Sequence, residues 1–250
     1  MQVFQYKNFT IKSYDQLPST NDLAFDLAVS GQISHNHVIL AKTQTAGKGR
    51  FDRVWQSPLG NLYFSIVIRS DTQAAEIPLL SFVASVAMRI AIEKCDGNRN
   101  SILHKWPNDI LINQKKVCGI LLKSHLLQDR SDFVVIGIGV NIDSHPENTI
   151  YPASNLKAEK ITANPEILLK IFLDEFSDLY ENWRHYGFKA TRNLWLQNAF
   201  NLNKKITVNL PDKKLSGLFG DLDYNGNLIL KLSNQEILKI SSGEIYEIAK

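Results

Sequence analysis

The chain has 250 residues, 44% hydrophobic and 21% charged, and its 28 basic against 25 acidic side chains leave a net charge of +3. These totals fit a globular protein with one large domain or a main domain plus a small one, and the charge is too mild to argue for nucleic acid by itself. Two cysteines, Cys95 and Cys118, are too few for a disulfide framework and fit a reducing compartment. The opening MQVFQYKNFTIKSYDQ holds no apolar core with a cleavage site, and no run approaches the ~18 apolar residues of a membrane span, so the sequence predicts a cytoplasmic protein.

Residues 3–13 alternate loosely and predict a strand at a sheet edge. Ser19 and Asp22 have capping-box spacing before the apolar stripe Leu23, Leu27 and Ala28, so a helix capped by Ser19 or Thr20 runs to Gly31. Strands follow at 38–43 and 62–69, the latter with Phe64, Ile66 and Ile68 on one face. Ile77, Leu80, Ala84, Ala87, Met88 and Ala91 recur at helical spacing and predict an amphipathic helix over 73–94 that covers the sheet.

After a turn at Asp96, Gly97 and Asn98, a short strand ends in Lys105-Trp106-Pro107-Asn108-Asp109. Strands at 110–112 and 116–122 then flank a turn at Asn113 to Lys115. The β-branched run 133–141 predicts a strand buried on both faces, in which Gly137 and Gly139 allow close approach to the backbone. Leu168, Ile171, Phe172, Phe176, Leu179 and Trp183 predict a second long helix over 165–186, and a shorter one runs through Ala199. From Lys205 the texture changes to short strands at 206–210, 215–222, 228–232, 237–240 and 245–248, with turns at Pro211-Asp212, Asn225-Gly226 and Ser233-Asn234.

The stretch Gln44 to Ser65, QTAGKGRFDRVWQSPLGNLYFS, is built to hold an anion. Gly47 and Gly49 permit φ > 0 and bring backbone N–H groups near a ligand, and Lys48, Arg50 and Arg53 supply charge. Trp55 adds a flat aromatic surface, and a phosphate beside an aromatic ring suggests a nucleotide. Neither common phosphate signature is present. Taken alone, GKGR reads better as a solvated surface turn.

Six stretches together resemble the biotin protein ligases, in the family's order: Ser19-Thr20-Asn21, Gln44 to Arg50, Trp55 to Gly60, Lys105 to Asp109, Lys116 to Leu121 and Gly137 to Asn141. The resemblance covers nearly the whole chain. It implies an α+β fold with a mixed, mainly antiparallel central sheet covered by helices, assigned to residues 1–200, followed by a small SH3-like β-barrel at 201–250. It also implies an ATP-dependent ligase that makes biotinyl-5′-AMP and passes biotin to a lysine of a biotin carboxyl carrier protein, such as that of acetyl-CoA carboxylase.

By that resemblance Lys116 bridges biotin's carboxylate and the α-phosphate, and Arg50 holds the phosphate from the loop. Ser19, Thr20, Asn21, Gln44, Gly47, Lys48, Gly49 and Gly119 join them in binding biotin. Arg53, Trp55, Asn108, Asp109 and Asn141 join them in binding ATP, with Trp55 covering adenine and Asp109 the candidate ligand for Mg2+. Mg2+ enters as the metal of the co-substrate ATP, and no tightly bound prosthetic group is implied. Trp106 reads as core.

Three residues depart from the family pattern: Lys48 replaces an arginine, Asp52 a third glycine, and Lys42 an acidic residue. Only 18 residues precede Ser19, too few for the winged helix-turn-helix of repressor members, so no DNA binding is expected. The resemblance allows a homodimer built by extending the sheet. The rival on the same fold is a lipoate ligase or an octanoyltransferase; the latter needs a nucleophile, but Cys118 lies in an apolar strand and reads as an inert buried thiol. A non-catalytic nucleic-acid binder is the rival from another class, and the near balance of charges weighs against it.

Overall fold

β-Branched and aromatic residues fill two neighbouring strands so completely that neither face can meet water, and the molecule is layered around them. The computed structural model describes residues 1–250 except 70, 71, 98–100, 148, 150, 211, 212 and 248–250. The predicted turn at Pro211-Asp212, and the ends of the predicted turn and strand at Asn98 and Ile248, therefore lie outside the described residues.

In chain order the first half runs β1 (Gln2–Tyr6), β2 (Phe9–Leu17), α1 (Thr20–Val29), β3 (His37–Gln44), β4 (Leu62–Arg69), a 3-10 turn (Ala74–Glu76), α2 (Leu79–Cys95), β5 (Ile102–Lys105) and β6 (Asp109–Ile112). It continues with β7 (Lys115–Leu127), β8 (Arg130–Val140), α3 (Pro165–Tyr186) and α4 (Lys189–Gln197). The last part holds β9 (Lys205–Asn209), β10 (Lys214–Leu222), β11 (Leu228–Lys231), β12 (Ile237–Ile240) and β13 (Glu244–Glu247).

Eight strands form one sheet in the order β1-β2-β3-β4-β8-β7-β6-β5. Every pair is antiparallel except β2 with β3, where α1 provides the crossover that a parallel pair requires. Alternation along the strands sends Val38, Leu40, Phe64, Ile66 and Ile68 into the main core under α2 and α3, and Ile39, Val67, Phe133 and Val135 into a smaller core under α1. The Phe64 and Phe172 rings meet edge to face at 5.1 Å, joining β4 to α3.

Three elements differ from the sequence expectation. Residues 3–13 are not one strand but the hairpin of β1 and β2, because Lys7 takes φ 51° and reverses the chain. The helix expected over 73–94 begins only at Leu79, since Pro78 has no N–H to give to a preceding turn and fits best at a helix start. Nor is α2 amphipathic: Leu79 through Met88 are all buried, with the sheet on one side and α3 and α4 on the other. By length and composition Ala74–Cys95 passes as a membrane span, against the expectation that no run would, but most of it is buried inside the protein.

The boundaries of α3 follow from its ends. Asn164 accepts from the N–H groups of Glu166 and Ile167 at 2.9 and 3.2 Å, Pro165 occupies the first turn, and Gly187 at φ 75° stops the helix. The C-terminal strands form a separate five-stranded antiparallel sheet ordered β12-β11-β10-β9-β13. It docks through Trp106, which is 2% exposed and whose Nε1 donates to the Gly226 carbonyl at 3.0 Å, and through Arg192, whose Nη2 meets Asp221 at 2.5 Å. The expectation that Trp106 packs as core is met.

Truncating Phe64 to alanine removes the ring between β4 and α3, and urea unfolding is expected to show a loss of about 3–5 kcal/mol. Asn164→Ala should cost only ~1 kcal/mol in the same assay, because one helix cap is lost and no cavity opens.

Candidate active site

The loop between β3 and β4 folds back as a narrow hairpin. Gly49 N–H donates to the Arg53 carbonyl at 2.7 Å and Trp55 N–H to the Gly47 carbonyl at 2.9 Å, while Phe51 and Asp52 form the tip with φ 55° and 57°. This corrects the sequence reading, which gave the left-handed positions to Gly47 and Gly49. Gly47 is needed for space instead: a Cβ there would lie 2.8 Å from Ser57 Oγ and 3.0 Å from Gln44 Nε2. The strained backbone falls on Phe51 and Asp52, and for a bulky Phe it is the rarer conformation.

The hairpin covers a cavity of about 460 Å³ whose lining takes in every sequence-assigned site residue except Gly47, which lies behind it. Its floor is made by β7 and β8, where Gly119 stands directly opposite Gly139. The half-buried Trp55 indole lies on that floor: a Cβ on Gly119 would come within 2.9 Å of its Cζ3, and one on Gly139 within 2.5 Å of its Cε2. Two residues along β8, a Cβ on Gly137 would sit 2.6 Å from Asn21 Nδ2, so this glycine makes room for the first turn of α1. The close approach expected at Gly137 and Gly139 is therefore present.

α1 brings three residues to one wall. Ser19 Oγ caps the helix by accepting from Asp22 N–H at 3.3 Å, Thr20 Oγ1 shares a hydrogen with Ser65 Oγ at 3.0 Å, and Asn21 Nδ2 faces the Leu121 carbonyl at 3.5 Å. Gln44 ties this wall to the hairpin: its Oε1 accepts from Thr20 N–H at 2.8 Å and its Nε2 donates to Ser57 Oγ at 2.9 Å. Both ends of that amide are thus already used in building the pocket.

On the opposite side Lys116 Nζ meets Asp109 Oδ1 at 2.7 Å and stands 5.3 Å from the centre of the Trp55 ring. Arg50 Nη1 reaches Asn108 Oδ1 at 3.4 Å and the Gly243 carbonyl at 3.5 Å. Burial lowers the pKa of the Arg50 guanidinium, and Asp109 and Glu244 oppose the shift. Asn108 also braces β7 by donating to the Ile120 carbonyl at 2.6 Å. Asn141, 2% exposed, donates to the Ser154 carbonyl at 3.0 Å, and among the described residues its buried Oδ1 has no partner.

Lys48 is held away from the floor by Asp22 Oδ2 at 2.7 Å, and Lys123 takes the other oxygen at 3.0 Å. Burial pushes the Asp22 carboxyl up, but the two ammonium groups more than reverse it, and the group stays below the usual carboxylate range. Cys118 is fully buried, and burial raises its thiol far above the usual range, as expected of an inert thiol.

The lining residues that were not assigned from the sequence include Glu244, Tyr151 and Lys105. Glu244 on β13 pairs with Arg53 and accepts from Tyr151 Oη at 2.8 Å, and Lys105 Nζ lies 3.8 Å from the centre of the Tyr151 ring. Nothing local marks Glu244 or Tyr151, because only the tertiary fold brings them to the loop. Lys105 did carry a signal, a cation ending the apolar strand Ile102–Lys105. No three His, Cys, Asp or Glu side chains converge among the described residues in a way that could hold a metal ion.

Comparison with known proteins agrees with this geometry. Residues 13–141, just over half of the chain, match the biotin/lipoate A/B protein ligase family, and residues 202–246 match the biotin protein ligase C terminal domain. The chain is 35% identical over 219 residues to the biotin–acetyl-CoA-carboxylase ligase of Paracoccus denitrificans, covering 85% of this chain and 90% of that one. It is 32% identical over 243 residues to the bifunctional ligase/repressor BirA of Bacillus subtilis, covering 93% and 72%. The fold superposes on the biotin protein ligase from Aquifex aeolicus, solved in complex with biotin and ATP, with a TM-score of 0.81 at 24% identity, covering 96% and 98%. On the family match and on its identity to a ligase that it nearly spans, the chain belongs to the biotin/lipoate A/B protein ligase family.

Proposed function

We propose that the protein is a biotin protein ligase that activates biotin with ATP as biotinyl-5′-AMP and transfers it to a lysine of a biotin carboxyl carrier protein, such as that of acetyl-CoA carboxylase. The observation that carries this reading is convergence: residues from all six sequence stretches line one cavity of about 460 Å³, within the size range of small-ligand sites. The relatives' names point to the same acid and the same carrier. Cys118, sealed in the core, offers no nucleophile for octanoyl transfer.

Activation must bring two anions together. At 4 Å a unit charge pair is worth about 4 kcal/mol at an effective dielectric near 20, so Lys116 and Arg50 on one wall can offset the repulsion and favour the charge that builds on the α-phosphate. Lys116 leaves Asp109 to bridge carboxylate and phosphate, and Arg50 closes on the phosphate from the loop. Ser19, Thr20, Asn21, Gln44, Gly49 and Gly119 shape the end that takes biotin, with Gly47 behind them and Lys48 at the rim. Asn141 Oδ1, buried and unpaired among the described residues, suits the exocyclic amine of adenine, and Trp55 covers that base with its exposed face.

Among the described residues Asp109 is the acidic side chain paired with Lys116, and no cluster that could hold a metal ion is present, so those residues do not fit a resident metal site. Mg2+ belongs here as the companion of the triphosphate, with Asn108 and Asp109 on its side of the pocket. Arg53 faces the same end. The hairpin, once closed over the adenylate, would exclude the water that hydrolyses it. The division into a catalytic part, 1–200, and an SH3-like barrel, 201–250, is part of this reading, supported by the separate match to 202–246. So is a cytoplasmic location, where carrier and ATP are found together.

Mixing the purified protein with MgATP and, separately, biotin, lipoate or octanoate should give a bound adenylate with biotin alone by mass spectrometry; an adenylate with either other acid would move the chain to that branch. Lys116→Ala should reduce adenylate formation by at least ~100-fold with the unfolding midpoint unchanged, and near-normal pyrophosphate release would refute its role. Trp55→Ala should weaken ATP binding by about 1–2 kcal/mol in calorimetry and biotin binding by less, as loss of base stacking requires. Equal losses would count against that role.

A further inference from the structure

Lys105 is the last residue of β5, lines the cavity and is 9% exposed. Among the described residues two carboxylates line the same cavity, and each is engaged by another cation: Asp109 by Lys116 and Glu244 by Arg53. Among the described residues Lys105 pairs with neither, and its ammonium rests on the Tyr151 ring with Nζ 3.8 Å from the centre. Asp109 and Glu244 favour its charge from beyond direct contact, but burial outweighs them, with Lys116 and Arg53 opposing as well. A buried ammonium group with no carboxylate in contact is costly, so a lysine kept in this position is arranged for an anion that arrives from outside.

The position of Lys105 says which anion. In the pairing of β5 with β6 it stands opposite Asp109, the partner of Lys116, and on its other side Tyr151 leads through Glu244 to Arg53. It therefore lies between the cation assigned to the α-phosphate and the cation at the loop. We propose that Lys105 binds the β-phosphate of the nucleotide and receives the negative charge that gathers on the departing pyrophosphate. This deepens the reading given above and rests on it.

The chemistry balances without a further reactant. A carboxylate oxygen of biotin bonds to the α-phosphorus as the P–O bond to the bridging α–β oxygen breaks. The electron pair of that bond leaves on the pyrophosphate, whose new terminal oxygen takes a proton from solvent. Charge on the nucleotide's α-phosphate changes little, while the leaving group gains it, so a fixed cation at the β-phosphate is stronger in the transition state than in the ground state. Lysine suits this task as a compact point charge. Burial pulls the Lys105 pKa down, and an incoming phosphate would favour its charged form again.

Lys105→Met keeps the apolar stem and removes the charge, Lys105→Gln does so with a polar end, and Lys105→Arg restores a cation. With either neutral variant, single-turnover adenylate formation from MgATP and biotin should slow by ~100-fold, as for loss of one transition-state contact. Inorganic pyrophosphate should bind about tenfold more weakly in calorimetry, and Lys105→Arg should recover most of that affinity. Transfer from preformed biotinyl-5′-AMP to the carrier, which releases no pyrophosphate, should stay within about twofold of the parent rate. Unchanged pyrophosphate affinity in both neutral variants, or equal loss in the two half-reactions, would overturn the proposal in favour of a structural lysine. If the parent protein makes no adenylate at all, the functional reading fails, while the pyrophosphate titrations still decide whether Lys105 holds that anion.

Discussion

Two glycines facing each other on neighbouring inner strands of the eight-stranded sheet decide where a ligand can lie. Side chains on β7 and β8 project to both faces, and beside the cavity Val117, Cys118, Ile120, Ile136, Ile138 and Val140 are all buried, so a pocket on this sheet requires positions with no side chain at all. Gly119 and Gly139 provide them as a cross-strand pair, and Gly137 extends the gap toward α1. The remaining parts are arranged about that gap: α1 delivers its capped N-terminus to one side, β5 and β6 deliver Lys105 and Asp109 to the other, and the loop after β3 folds over the top. Trp55 rests in the opening, its ring against Gly119 and Gly139.

Electrostatics divides the cavity into two ends. At the α1 end, hydroxyl and amide groups dominate, and the nearest cation, Lys48, is drawn outward by Asp22. At the other end Lys105, Lys116, Arg50 and Arg53 crowd together with only Asp109 and Glu244 between them. A neutral ring system with one carboxylate suits the first end, a polyphosphate the second, and the reacting atoms of both would meet where Lys116 stands. Lys48 thus falls at the rim, where its ion pair with Asp22 anchors the hairpin to α1.

Much of this was legible in the sequence, and the misses share a cause. Strands β4 and β12 and helix α3 begin and end where periodicity, caps and breakers put them, because those signals are local. Residues from each of the six stretches line one cavity. Lys7 reversing the chain between β1 and β2, Pro78 delaying α2, and the all-round burial of α2 were missed because a periodic pattern records one apolar face and is silent about what covers the other. Phe51 and Asp52 in the left-handed region escaped for a related reason: glycine marks a permissive backbone, yet here Gly47 was spent on closeness and the turn fell on residues that tolerate it less well.

Glu244 shows what no local pattern could supply. It sits near the end of the chain, far in sequence from the loop, and reaches the pocket only because β13 pairs with β9 and the C-terminal sheet docks through Trp106 and Arg192. Through it Arg53 and Tyr151 are held in fixed places, and Arg50 touches the neighbouring Ser242 and Gly243. The C-terminal sheet is thereby one wall of the cationic end of the cavity. A hairpin that closes over a charged ligand must exchange these contacts for contacts to phosphate, so the packing of the small sheet and the closing of the loop draw on the same few ion pairs and cannot vary independently.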